Sequence, residues 1–122
     1  MCKILMAIKP QFVDQILSGE KKYEFRTKVA QRDVDTIVIY CTAPVKKIVA
    51  EVRICSVISA DINDLWNKTN QYAGISSDYF MSYFNDHEIG YAYELGKVKR
   101  FSEPKELKEY GLSFAPQSFV YV

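Results

Sequence analysis

Histidine is almost missing from this 122-residue chain, which holds only His87. There is no second His, no H-x-x-x-H spacing and no Ser-His-Asp order, so neither a catalytic triad nor a histidine-built metal site is on offer. Cys2, Cys41 and Cys55 are an odd set without C-x-x-C spacing, and they read as reduced thiols of a cytoplasmic protein. The five glycines stand apart, so no phosphate-cradling G-x-G-x-x-G or G-x-x-x-x-G-K loop exists and P-loop nucleotide hydrolysis is excluded. No apolar run approaches the roughly 20 residues of a membrane span. The Ile4–Ile8 run is too short for a signal-peptide core and ends at Lys9 and Pro10. Net charge is only +1, so the broad basic field of a strong nucleic-acid binder is also lacking. No metal and no cofactor is implied.

What is present is an ordinary apolar fraction of 48% with nine Tyr and seven Phe. That is enough for one domain spanning residues 1–122, with a core that needs no staples. Those rings can fill a core or stack on bases. The charge is uneven along the chain. Residues 1–32 carry seven Lys/Arg against three Asp/Glu, and residues 61–90 carry one against five. A fold can thus gather Lys21, Lys22, Arg26, Lys28 and Arg32 on one positive face.

Residues 3–8 read as a buried first strand. Pro10 suits the first turn of a helix, Phe12, Val13, Ile16 and Leu17 follow at helical spacing, and Gly19 is a natural stop. The β-branched run Asp35 to Cys41 predicts a central strand, broken by Ala43-Pro44. Lys47 to Ser59 alternates as a long strand able to bend around a small barrel. Asp61 can cap a helix to Thr69, and Ser76 or Ser77 a second one. Strand character returns over residues 89–101, a helical turn is expected between Glu103 and Tyr110, and Ser118 to Val122 reads as a terminal strand. The expected fold is α+β: a curled, largely antiparallel sheet of about five or six strands with two to four short helices.

The stretch Gly19 to Arg26, G-E-K-K-Y-E-F-R, carries the densest chemistry. Extended from Tyr23 to Arg26, it puts Glu24 and Arg26 on one face and Tyr23 and Phe25 on the other. A carboxylate between two cations orients its partners, and the set can bind a phosphate or a polar base edge. A partly desolvated Lys21 would have a lowered pKa and could serve as base or nucleophile. A structural ion pair closing the helix-to-strand turn needs the same residues. The aromatics Trp66, Tyr72, Tyr79, Phe80, Tyr83 and Phe84 fall at the spacing of a core-facing stripe. Tyr40, at a strand end, and Tyr72, in a loop, are the better base-stacking candidates.

Gly19, Lys21, Glu24 and Arg26 fit G-x-K-x-x-E-x-R, which resembles the motif of the ASCH family, small PUA-like β-barrels. Pro44 to Glu51 (P-V-K-K-I-V-A-E) and Ala115 to Val122 (A-P-Q-S-F-V-Y-V) resemble the central hairpin and closing strand of one bacterial ASCH subgroup. The resemblance implies a barrel whose groove is floored by Lys21, Glu24 and Arg26, with Gln117 and Ser118 nearby. It implies RNA, single-stranded nucleic acid or a modified nucleoside as partner. One branch of the family resembles an N4-acetylcytidine amidohydrolase that uses a Lys, a Thr and a distant Glu. Glu24 stands where that Thr is expected, which removes the hydroxyl nucleophile. Two readings from different classes follow: an RNA or modified-nucleotide binding domain, or a hydrolase, ribonuclease or amidohydrolase, with Lys21 and Glu24 as catalytic candidates. A protein-interaction module is a third.

Overall fold

A computed structural model describes residues 2–122. The first strand, β1 (Lys3–Ile8), buries Ile4, Met6 and Ile8 on one side and Leu5 on the other. A run buried on both sides is what an interior strand requires. Helix α1 (Pro10–Ser18) starts at Pro10, which has no N–H to leave unpaired, and ends at Gly19 in the left-handed conformation with φ 89°. Then follow β2 (Tyr23–Arg26), β3 (Thr36–Cys41) and β4 (Lys47–Asp61). The Asp61 carboxylate caps α2 (Ile62–Thr69), and the Ser76 hydroxyl caps α3 (Ser77–Tyr83). A second long strand, β5 (Ile89–Lys105), a 3₁₀ turn at Leu107–Tyr110 and β6 (Phe119–Tyr121) complete the chain.

The six strands form one sheet in the order β2-β5-β4-β3-β1-β6. Only β1 and β3 run parallel; every other neighbouring pair is antiparallel. The expected curled, largely antiparallel α+β sheet is what forms. Strand β5 is longer than expected because it follows β4 to its beginning, where Lys105 pairs with Ile48. Register shifts after Ile48, Val52 and Ile54 bend this long ladder. They also break the simple alternation of β4: Ile48 packs with Leu5, Val38 and Tyr40, while Ala50 and Val52 join the opposite cluster.

Curling brings the two ends of the sheet toward each other. Arg26 on the β2 edge donates from Nη2 to the Ala7 carbonyl of β1, 3.2 Å away. The loop after β2 is tied across the same seam. The Tyr121 hydroxyl of β6 accepts from the backbone N–H of Gln31 (2.8 Å) and Arg32 (3.1 Å), and Tyr93 accepts from Ala30. A third cluster, Phe25, Leu65, Ala73, Phe80, Phe84 and Ala92, seats α2 and α3 against β2 and β5. No helix among the described residues is long and apolar enough to cross a membrane.

Candidate functional site

A cavity of about 220 Å³ opens between α1, β2 and α3, beside the end of β1. Its polar floor is Lys21, Glu24 and Arg26, and its walls include Phe12, Phe25, Ile75, Tyr79 and Tyr83. It lies below the roughly 300–1,000 Å³ of sites for drug-sized ligands, so it suits a single small group.

The floor is assembled locally. Gly19 lets the chain leave α1, and the next backbone segment is fixed from three sides: Lys21 N–H donates to Gln15 O, Lys22 N–H to Tyr72 O, and Leu95 N–H to Lys22 O. Lys21 therefore points inward, 3% exposed. Its Nζ donates to the Ala73 carbonyl at 2.6 Å and lies 4.9 Å from the Phe25 ring centre and 5.2 Å from that of Phe12. Burial pushes its pKa down from the usual lysine value; Glu24 pulls it back up and Arg26 adds a smaller push downward.

Strand alternation puts Glu24 and Arg26 side by side, as expected. Both Nε (3.2 Å) and Nη2 (2.9 Å) of Arg26 donate to one carboxylate oxygen of Glu24. Among the described residues, the other Glu24 oxygen and Nη1 of Arg26 make no hydrogen bond. The cavity thus offers an acceptor from Glu24 and donors from Lys21 and Arg26. Tyr83 donates its hydroxyl to Phe25 O at 3.2 Å, and burial raises its pKa, with Arg26 opposing the rise and Glu24 adding to it. Among the described residues no group of three His, Cys, Asp or Glu could hold a metal ion.

The remaining sequence candidates fall elsewhere. Tyr40 is 7% exposed, packed with Leu5, Val38 and Ile48. Its expected role as a stacking platform is corrected, because a buried ring has no face left for a base. Tyr72 is 39% exposed but does not line the cavity, and Lys22 Nζ sits 4.3 Å from the centre of its ring. Neither Gln117 nor Ser118 lines the cavity. Gln117 is exposed in the bend before β6. Ser118 accepts through its carbonyl from Ala7 N–H at 3.5 Å. Since Tyr40 pairs with Ala7 from the other side, the three residues form a row across β3, β1 and β6, beside the carbonyl that Arg26 grips.

Phe12, Tyr79 and Tyr83 were not legible as site residues. The stripe Tyr79, Phe80, Tyr83, Phe84 splits lengthwise, with Phe80 and Phe84 in the core and both tyrosines about 40% exposed at the cavity. The hydroxyls were the available signal, since tyrosine seeks a wet edge where phenylalanine does not.

A curled half-barrel with a cationic, aromatic-walled cavity at its seam is the class of protein that these elements define. The chain belongs to the ASCH domain family, whose pattern matches residues 6–109. It is 29% identical over 115 residues to the ASCH domain-containing ribonuclease of Zymomonas mobilis, covering 92% of this chain and 78% of that one. The crystal structure of ASCH from Zymomonas mobilis superposes with a TM-score of 0.89 at 28% identity, over 98% of this chain and 87% of that one. Variants of that protein with a Tyr replaced by Phe and a Ser replaced by Ala superpose equally well. The chain is also 28% identical over 120 residues, 98% of its length, to part of the ATP synthase subunit alpha of Ureaplasma parvum, of which it spans only 15%.

Proposed function

We propose that this protein recognises single-stranded RNA by taking one unpaired base, plain or modified, into the cavity above Lys21, Glu24 and Arg26. The observation that carries this reading is a buried acceptor beside two donors under aromatic walls. A phosphate would meet the Glu24 carboxylate at close range, whereas a base edge offers an N–H to Glu24 and lone pairs to Lys21 and Arg26. A paired base cannot reach such a recess, so duplex must first open. In this reading Gln117 and Ser118 lie along the path of the sugar-phosphate chain. The domain acts in the cytoplasm as a single unit.

RNA cleavage is the second reading, favoured by the depressed pKa of Lys21 and by the name of the Zymomonas relative. Neutral Lys21 would take the proton of an attacking hydroxyl and return it to the leaving oxygen, with Glu24 orienting the attacking group. Deacylation of a modified cytidine has less support, because Glu24 stands where the Thr is expected and is engaged by Arg26.

Incubation with end-labelled single-stranded RNA, followed by a denaturing gel, separates these outcomes. Saturable binding with intact RNA supports recognition alone. Shortened RNA with the wild type but not with Lys21→Ala supports cleavage. Neither binding nor cleavage defeats the RNA reading.

A further inference from the structure

Three cations and one carboxylate line the cavity: Lys9, Lys21, Arg26 and Glu24. Their charges do not cancel. Glu24 is taken by Arg26, which donates to it from Nε and Nη2, so that pair is close to neutral. Lys21 is buried and has the Ala73 carbonyl as its partner, a dipole and not a charge. Lys9 is exposed, and among the described residues no carboxylate lies within 4.0 Å of its Nζ. Even with Lys21 neutral, the cavity keeps an uncompensated positive charge at Lys9.

Lys9 stands where β1 ends and α1 begins, flanked by the lining residues Ile8 and Phe12. Its carbonyl accepts from the N–H groups of Phe12 and Val13, at 3.0 Å each, so the backbone beneath the side chain is fixed. The side chain itself makes no capping hydrogen bond. A fixed backbone and a free four-carbon stem let the ammonium follow an anion at the mouth. No acidic residue in the first turn of α1 competes for it, and Asp14, Glu20 and Asp78, on the bordering segments, do not line the cavity. Glu24 is 7% exposed on the floor, whereas Lys9 is on the solvent side, so an anion seated on Lys9 is not buried against that carboxylate.

We propose that Lys9 holds the phosphate of the nucleotide whose base enters the cavity, so that the site prefers a nucleotide to the free nucleoside. This inference rests on the RNA reading above and narrows its ligand from any molecule bearing a base to a phosphorylated one. The base is read on the floor, and the phosphate is gripped at the mouth.

The test compares the four ribonucleosides with their 3′- and 5′-monophosphates by isothermal titration calorimetry, using wild type, Lys9→Gln, Lys9→Arg and Lys22→Gln. For the base that fits the cavity, wild type should bind a monophosphate about five- to tenfold more tightly than the nucleoside, and the difference should shrink as salt is raised. Lys9→Gln should abolish that difference, and Lys9→Arg should retain it. Lys22→Gln should retain it too, since Lys22 is also exposed but sits on Tyr72 and does not line the cavity. Melting temperatures of Lys9→Gln and wild type should match, because the side chain caps nothing. A wild type that binds nucleoside and monophosphate alike, or a Lys9→Gln that keeps the difference, overturns the phosphate site while leaving the base reading intact. A wild type that binds neither overturns the base reading, and the phosphate site with it.

Discussion

Lys21 keeps its ammonium out of water against one carbonyl and two ring faces, and its lowered pKa has a defined consequence for stability. The unfolded chain holds this proton up to about pH 10.5, while the folded chain releases it earlier. Between the folded value and 10.5 the unfolded state binds more protons, so the contribution of Lys21 to stability rises with pH. Tyr23, Tyr83, Tyr93 and Tyr110 have raised values and act oppositely, losing stability above about pH 10. Urea unfolding of wild type and Lys21→Met should therefore show wild type gaining on the variant as pH rises toward 10.5; a constant difference contradicts the buried charge. Gly74 supports the same side chain from behind. At φ +71°, an added Cβ would lie 2.9 Å from Lys21 Cβ and Cγ and from Gln15 Oε1. Gly111 has a similar φ of +76° with nothing within 4 Å. By urea unfolding, Gly111→Ala should cost about 1 kcal/mol from backbone strain alone, and Gly74→Ala about 1–3 kcal/mol more. Equal costs would mean that Lys21 is not braced there. At this scale the sequence was readable where a residue's chemistry is local. Alternation was enough to put Glu24 beside Arg26. Tyr40 misled because its burial depends on segments 60 or more residues away, Phe101 and Leu107 among them.

Helix α3 is where element and site meet. It is seven residues long, too short to stand without tertiary support, and it holds Tyr79 and Tyr83 over the cavity while Phe80 anchors it below. The Ser76 hydroxyl accepts from Tyr79 N–H at 3.1 Å, and Asp61 caps α2 through Asp64 N–H at 2.9 Å. Ser76→Ala and Asp61→Ala should each cost about 1 kcal/mol in thermal unfolding. Only Ser76→Ala should also weaken RNA binding, because α3, unlike α2, carries cavity walls. Equal binding losses in both would contradict that division. Strands and helices were largely legible because caps, Pro10, Gly19 and the apolar spacing are short-range signals. The bends of β4 were not. Register shifts after Ile48, Val52 and Ile54 arise from the twist of a long two-strand ladder, and no residue in that stretch announces them.

Across the whole molecule, the same arginine that floors the cavity also holds the sheet closed. Arg26 belongs to the β2 edge, yet it reaches Ala7 of β1, next to the opposite edge strand, while neutralising Glu24. Side-chain exposure of 12% and 9% makes this a buried pair. Arg26→Met strands the Glu24 carboxylate and should cost about 3–5 kcal/mol by urea unfolding; Glu24→Met in the same chain should recover much of it. If the double variant is no more stable than the single one, the seam bond to Ala7 outweighs the ion pair. The overall curl was legible from strand count and alternation together with the family motif. The seam was not, since it depends on how far the sheet closes. The account stands on the cavity as the place where RNA is held, and two tyrosines of nearly equal exposure separate that from general surface binding. Tyr79 is 40% exposed at the cavity, and Tyr72 is 39% exposed outside it. Fluorescence anisotropy with labelled single-stranded RNA should show Tyr79→Ala binding about fivefold or more weakly than wild type, with Tyr72→Ala unchanged. A wild type that binds no RNA, or two variants that bind alike, would contradict it.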